Sequence, residues 1–363
     1  TVDANDTFDA TGGFVTFTDA GNLNLFSTVT DLGTLSDNFG TVTYDGTAQT
    51  VFSDAYYNLT AGNSSGTKTL GGDVTVANDL VINAGVTIDV SSSDDYSISV
   101  GGALENNGTF SAQEGTVTFN GSDNQVFTPG SSSYYNITLN NAGGDDKTLV
   151  IASDLEIDND LTLTTGTLDL DTNDPAISIA GDLAIADGAV WTKGSGTVSF
   201  DGATQSLSDA NTTPNDLGGA LINSTQMTVT TDATFTTVQI SSASVTIISS
   251  SVSFIVNGAL TITGELEMAD GSVVDAGGDV TVAAAGTLDM DGTSRLKMEG
   301  DLSFSGTLEA SDDSRIDLDG DTQQTIYGSA TPTFNRLFCS SSATVFNLTA
   351  TINDTLDAGG EDF

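Results

Sequence analysis

Apolar and polar residues alternate with a period of two along almost the whole chain. The Thr-Val-Thr-Phe run at 116–119 and the Leu-Thr-Leu-Thr run at 161–164 place apolar side chains on one face of an extended strand and polar side chains on the other. Gly, Asn and Asp interrupt such runs every few residues, as turn residues do. No stretch has the 3.6-residue period of an amphipathic helix. The pattern therefore predicts an all-β fold of short strands.

A long repeat divides the chain into similar blocks. Gly-Thr-Val-Thr-Tyr-Asp-Gly at 40–46 matches Gly-Thr-Val-Thr-Phe-Asn-Gly at 115–121 and Gly-Thr-Val-Ser-Phe-Asp-Gly at 196–202, and a degenerate copy lies at 314–320. A glutamine follows each block, and the repeat aligns Gln49, Gln125, Gln205 and Gln323. The copies predict five segments: an N-terminal edge or assembly segment at 1–39, solenoid modules at 40–114, 115–195 and 196–313, the last with extra coils, and a partial module with the C-terminal edge at 314–363.

A shorter period lies inside the long one. Gly-Asp recurs from Gly278 to Gly300, a step of 22 residues, and Gly-Thr-Leu recurs from Gly286 to Gly306, a step of 20 residues. A unit of this length with two or three short strands is typical of a β-solenoid, in which parallel coils stack about 4.8 Å apart. A β-propeller or a string of β-sandwiches is the alternative, but propeller blades are longer and more uniform. The sequence thus predicts a parallel β-helix-like solenoid with coils of about 20–22 residues.

The charge balance excludes several classes of function. The chain has 7 Lys and Arg against 50 Asp and Glu, which gives a net charge of −43, and it has no His. Nucleic-acid binding needs a basic surface, and Ser-His-Asp catalysis and His-based zinc sites need histidine. The single cysteine, Cys339, excludes an intramolecular disulfide. A buried apolar role for its thiol is one alternative, and an intermolecular bridge is the other.

The carboxylates themselves suggest a metal ion. Alternate residues of a strand face the same side, and Ca²⁺ prefers six to eight oxygen ligands. Three runs place carboxylates at alternate positions, including Asp169-Leu-Asp171. The candidate Ca²⁺ ligands come from the other two: Asp317, Asp319 and Asp321 in one run, and Asp289 and Asp291 in the other. The alternative is that these aspartates are solvated turn and surface residues.

Three features bear on sugar chemistry. Arg295-Leu-Lys297 resembles the Arg-Ile-Lys of polygalacturonases, but it stands alone in an Asp-rich region that could simply pair with it. The adjacent tyrosines at 56–57 and 134–135 form either a sugar-stacking platform or ordinary packing, with one tyrosine of each pair in the core and the other outside. Asn-x-Ser/Thr motifs provide candidate glycosylation sites, which chance also produces in so polar a chain: Asn58, Asn107, Asn136, Asn223 and Asn347.

The repeat motifs at 71–76, 115–121 and 134–139 resemble those of large secreted prokaryotic β-solenoid surface proteins, which include adhesins, sheath components and filament subunits. The resemblance implies an extracellular structural or adhesive protein and carries no catalytic residues. Residues 348–363 look like the middle of a coil rather than a cap, and uncovered edges invite association.

These observations lead to three alternative functions. The first is a surface filament or sheath, in which copies of the chain join head to tail. The second is a glycan- or surface-binding adhesin, and the third is a polysaccharide-active enzyme. The expected partners are the chain itself and glycans rather than nucleic acid. The excess of acid further predicts that assembly depends on divalent cations or high salt.

Overall fold

The computed structural model describes residues 1–36, 39–62, 65–141, 147–311 and 313–357. These residues contain no helix; their parallel strands stack as a β-solenoid of about 16 turns, which confirms the predicted fold class. The chain divides into a first unit, Thr1–Ile177 with Gly188–Gly194, and a second unit, Ser178–Asp187 with Ser195–Phe363. Residues 37–38 and 358–363, which belong to the predicted edge segments, lie outside the described residues, and the five predicted segments stay a prediction.

Each coil of the first unit contributes short strands, and each strand pairs in parallel with the strand three places earlier, three places later, or both. The strands of this unit are β1 Val2–Ala4, β2 Phe8–Asp9, β3 Phe14–Val15, β4 Asn22–Leu25, β5 Val29–Asp31, β6 Thr34–Leu35, β7 Thr41–Tyr44, β8 Gln49–Val51, β9 Ala55–Tyr56, β10 Asn58–Ala61, β11 Gly66–Leu70, β12 Val74–Val76, β13 Leu80–Ile82, β14 Val86–Asp89, β15 Ile98–Val100, β16 Leu104–Asn106, β17 Thr109–Ser111, β18 Thr116–Phe119, β19 Gln125–Thr128, β20 Ser133–Tyr134, β21 Asn136–Asn140, β22 Thr148–Ile151, β23 Leu155–Ile157, β24 Leu161–Thr165, β25 Thr167–Asp169 and β28 Val190–Thr192.

The second unit is built in the same way, with three parallel sheets whose strands come from successive coils. Its strands are β26 Ile177–Ile179, which starts on the last residue of the first unit's main segment, β27 Leu183–Ile185, β29 Thr197–Phe200, β30 Thr204–Asp209, β31 Gly219–Ile222, β32 Gln226–Val229, β33 Ala233–Phe235, β34 Thr237–Ile240, β35 Val245–Ile248, β36 Ser253–Val256, β37 Leu260–Ile262, β38 Glu265–Met268, β39 Val273–Ala276, β40 Val280–Val282, β41 Thr287–Met290, β42 Arg295–Met298, β43 Leu302–Phe304, β44 Thr307–Ala310, β45 Arg315–Leu318, β46 Gln324–Tyr327, β47 Thr333–Cys339, β48 Thr344–Asn347 and β49 Thr351–Asp357.

The core of each unit consists of apolar columns that run from coil to coil. In the first unit Val42, Leu59, Leu80 and Leu104 lie in register on successive strands, and all four are buried. The step between neighbours varies from 17 residues, Val42 to Leu59, to 24 residues, Leu80 to Leu104. Coil length is therefore less uniform than the predicted 20–22 residues, because the turns absorb insertions while the strands keep their register.

Four buried glutamines join neighbouring coils by the same hydrogen bonds. The side-chain Nε2 of Gln324 donates to Met298 O at 2.9 Å and Gly300 O at 2.7 Å in the previous coil, and its Oε1 accepts from the Gly320 N–H with N···O 3.0 Å. The same three bonds occur at Gln49, Gln125 and Gln205. The sequence alignment on Gln323 was wrong by one residue, because Gln324 takes the inward position that begins β46 while Gln323 is exposed.

Candidate functional site

The Asp317 run does not gather its carboxylates around one point. Asp317 is buried and bound by two guanidinium groups: it accepts from Arg315 Nε at 2.6 Å and Nη2 at 2.8 Å, and also from Arg295 Nε. Asp319 lies 3.5 Å from Lys297 Nζ, whereas Asp321 is exposed. Two of the three carboxylates of this predicted calcium site, Asp317 and Asp319, therefore already form ion pairs with Arg or Lys side chains of the same chain.

Asp289 belongs instead to a column of like charges. It pairs in register with Glu267 on β38 and Glu309 on β44, and Asp291 follows it in the exposed turn. Partial burial, followed by repulsion from Asp291, Glu309 and Glu267, raises the pKa of Asp289. Across the described residues, no group of three or more His, Cys, Asp or Glu side chains is arranged to hold a metal ion.

Three arginines form a column in the second unit. Arg295, Arg315 and Arg336 lie in register on β42, β45 and β47. The Arg336 guanidinium binds Asp313 at 2.6 Å and Asp354 at 2.8 Å, and Arg315 lies 4.2 Å from the centre of the Phe338 ring. The sequence contains the pattern for this column, because the three arginines are spaced by about one coil. The column was not predicted from the sequence, because Arg295 and Lys297 were treated as an isolated pair.

The cations of the Arg-Leu-Lys motif are both engaged. Lys297 Nζ lies 2.7 Å from an Asp275 carboxylate oxygen, and this hydrogen bond raises the pKa of Lys297. Arg295 binds Asp317, so the Asp-rich surroundings pair with the motif, as one of the two sequence interpretations expects. An acidic substrate would have to displace these carboxylates before it could reach either cation.

The cysteine and the candidate glycosylation sites differ in how far they are exposed to solvent. Cys339 is a free thiol in a buried position, and burial raises its pKa. The side-chain nitrogens of Asn58 and Asn136 donate to Thr41 Oγ1 and Thr116 Oγ1, each at 3.3 Å. The other three glycosylation candidates are exposed: Asn107, Asn223 and Asn347.

The apolar columns end on uncovered side chains at the first described coil. Val2 on β1 lies in register with Leu23 on β4; Leu23 is buried, yet 63% of Val2 is exposed. The only neighbour of β1 in the described part of the chain is β4, so its other edge presents unpaired backbone groups. Phe14 on β3 adds a second exposed apolar side chain to this coil.

The last described coil has the same feature. Leu356 on β49 follows the buried Ile316 and Leu337 in one column, and 42% of it is exposed. Phe346 on β48 follows the buried Ile326, and 36% of it is exposed. The first and last described coils therefore both present apolar column ends and open strand edges; we call these two surfaces the coil edges.

No helix in the described part of the chain has the length and apolar character that crossing a bilayer requires. Comparison of the chain with models of protein families, with curated proteins and with solved structures gives no match in any of the three.

Proposed function

We propose that this chain is a structural β-solenoid whose copies join head to tail through the coil edges. The observation that carries the proposal is the termination of buried apolar columns on exposed Val2, Phe346 and Leu356. A coil of a second copy would continue both the columns and the strand ladders, because parallel coils repeat at about 4.8 Å. Covering each of these three side chains contributes roughly 1 kcal/mol, with backbone pairing in addition.

Charge opposes this assembly. Each copy carries a net charge of −43, and acidic residues lie near both coil edges, with Asp3 and Asp6 at one and Asp354 and Asp357 at the other. Salt screens such repulsion, and Ca²⁺ can bridge carboxylates of two copies. We therefore propose Ca²⁺ as a bridging ion between copies rather than as an ion held inside one chain.

The proposal includes a location at the cell surface, which rests on the likeness of the repeats to secreted surface proteins. It assigns no catalytic activity to the chain. Glycan binding is a second role, and it is favoured by a polar groove in the first unit that Tyr57 and Asn78 help to line.

Negative-stain electron microscopy tests the assembly. We expect filaments of wild-type protein at micromolar concentration in calcium chloride, and shorter or dispersed particles after chelation in low salt. Particles that stay single across the concentration range with calcium present would refute head-to-tail assembly. Filaments unaffected by chelation and low salt would instead show that backbone pairing dominates and that no bridging ion is needed.

A further inference from the structure

The first unit carries a groove of about 600 Å³ that crosses three successive coils. Its floor is the Gly101-Gly102-Ala103 corner, and it is flanked by the Asn78-Asp79 corner on one side and the turn at 120–124 on the other. Ligand sites on proteins commonly have a volume in this range. None of its lining residues belongs to the first or the last described coil.

The glycines explain why the groove exists. Gly101 N–H donates to Val76 O at 2.8 Å and Gly102 N–H donates to Asn78 O at 2.7 Å, so neighbouring corners are in close contact. A Cβ on Gly101 would lie 2.4 Å from Ala77 O, and one on Gly102 would lie 2.6 Å from Asn78 C. The middle corner therefore carries only one small side chain, Ala103. Its flanking corners are two coil spacings apart, roughly 10 Å, which is wide enough for a pyranose ring.

The groove walls offer both hydrogen-bonding and apolar groups. Asn120 and Asp123 are exposed, and their side chains make no hydrogen bond among the described residues; one carboxylate oxygen of Asp79 accepts from Ala103 N–H at 2.9 Å and leaves the other for a ligand. Tyr57 lines one end, its ring 5.0 Å from that of Phe39. Val126 is 45% exposed at the other end.

We infer that this groove binds a neutral oligosaccharide, an inference that rests on the glycan-binding role proposed above. Sugar hydroxyls both donate and accept hydrogen bonds, which suits amide, carboxylate and phenol groups, while the C–H face of a sugar packs on an apolar surface such as Tyr57 or Val126. The described residues that line the groove include two carboxylates, Asp79 and Asp123, and no Lys or Arg, so uronate or sulfated sugars are disfavoured. The strands beside the groove are paired on both edges, so no strand edge is open there for an extended peptide.

A matched pair of tyrosines tests this inference. Tyr57 and Tyr135 occupy equivalent corners: Tyr57 O accepts from Asn78 N–H at 2.8 Å, and Tyr135 O accepts from Asn159 N–H at 2.9 Å. Both side chains are half-buried, but Tyr57 lines the groove and Tyr135 does not. Tyr135→Ala therefore controls for any general effect of removing a corner tyrosine.

The probes are cellohexaose, mannohexaose and N-acetylchitohexaose, with hexagalacturonate as the charged counterpart, in titration calorimetry and saturation-transfer NMR. We expect at least one neutral probe to bind, Tyr57→Ala to weaken its binding about tenfold, and Tyr135→Ala to change it less than about twofold. Asn120→Ala removes an exposed side chain that makes no hydrogen bond among the described residues, so it should also weaken binding. This variant keeps the inference testable if Tyr57→Ala misfolds. Binding of no neutral probe, equal effects of the two tyrosine variants, or equally tight binding of hexagalacturonate would overturn the inference.

Discussion

Replacing Gln324 by Ala removes one of the repeated links between coils. The variant loses both hydrogen bonds from Nε2 to the previous coil and the one that Oε1 accepts from Gly320 N–H. Gln324 is fully buried, and so are its bonds with Gly320 N–H and Met298 O, whereas its bond to Gly300 O is only partly buried.

The expected cost follows from the partners that remain. Met298 O keeps a hydrogen bond from Asp319 N–H at 3.1 Å. Gly300 O and Gly320 N–H lose the only hydrogen-bond partner that the described residues give them. A buried backbone group without a partner costs about 1–3 kcal/mol, and the partly buried Gly300 O lies at the low end of this range, so the corner should lose about 3 kcal/mol of local stability.

Hydrogen exchange followed by mass spectrometry measures this loss locally, which suits a solenoid because its coils can open separately. Peptides that cover Gly320 should exchange about 100-fold faster in Gln324→Ala than in wild type. Gln323→Ala is the matched control, since it removes the same side chain from the neighbouring exposed position and should leave exchange unchanged. If both variants exchange at the wild-type rate, or both accelerate equally, the proposed role of the buried glutamine is refuted.

Two further substitutions test the charge arrangement of the second unit. Asp289→Asn removes a carboxylate whose pKa is raised by burial and by acidic neighbours, so thermal melts at pH 7 should show a gain of about 0.5 kcal/mol. A carboxyl with a raised folded-state pKa destabilises the fold while it is ionised, so this gain should shrink as the pH falls towards 4; a gain that persists unchanged would contradict the repulsion. Asp317→Ala leaves two guanidinium groups facing each other without their shared carboxylate and should cost about 2 kcal/mol in urea unfolding. The exposed control Asp321→Ala should stay within about 0.5 kcal/mol of wild type, and equal effects of the two would argue against the ion pairs.

The solenoid could be predicted from the sequence because its local and global patterns agree. A strand such as β18 alternates inward Val117 and Phe119 with outward threonines, and the same seven-residue block recurs in other coils. The tyrosine pairs follow the same rule, with Tyr56 and Tyr134 buried and their neighbours Tyr57 and Tyr135 partly exposed. Period two fixes which face a residue occupies, and this information is local.

Contacts between coils were harder to predict because they depend on the register across turns of variable length. The four-residue step from Gly320 to Gln324 matches the step from Gly121 to Gln125, whereas Gln49 and Gln205 follow their glycines by three residues. The sequence places Arg315 two residues before Asp317, but only the register shows that Arg295 lies opposite Arg315, where it also binds Asp317. The groove over Gly101 likewise depends on which corners become neighbours.

Sedimentation velocity of four proteins in calcium chloride tests the central claim most directly. Val2→Asp and Leu356→Asp each place a charge at the end of an apolar column, one at each coil edge. Val126→Asp is the control, because Val126 is also an exposed valine but lies on β19, which is paired on both sides. Wild type and Val126→Asp should form large assemblies, and both edge variants should remain small species. Monomeric wild-type protein, or edge variants that assemble as the Val126→Asp control does, would contradict it.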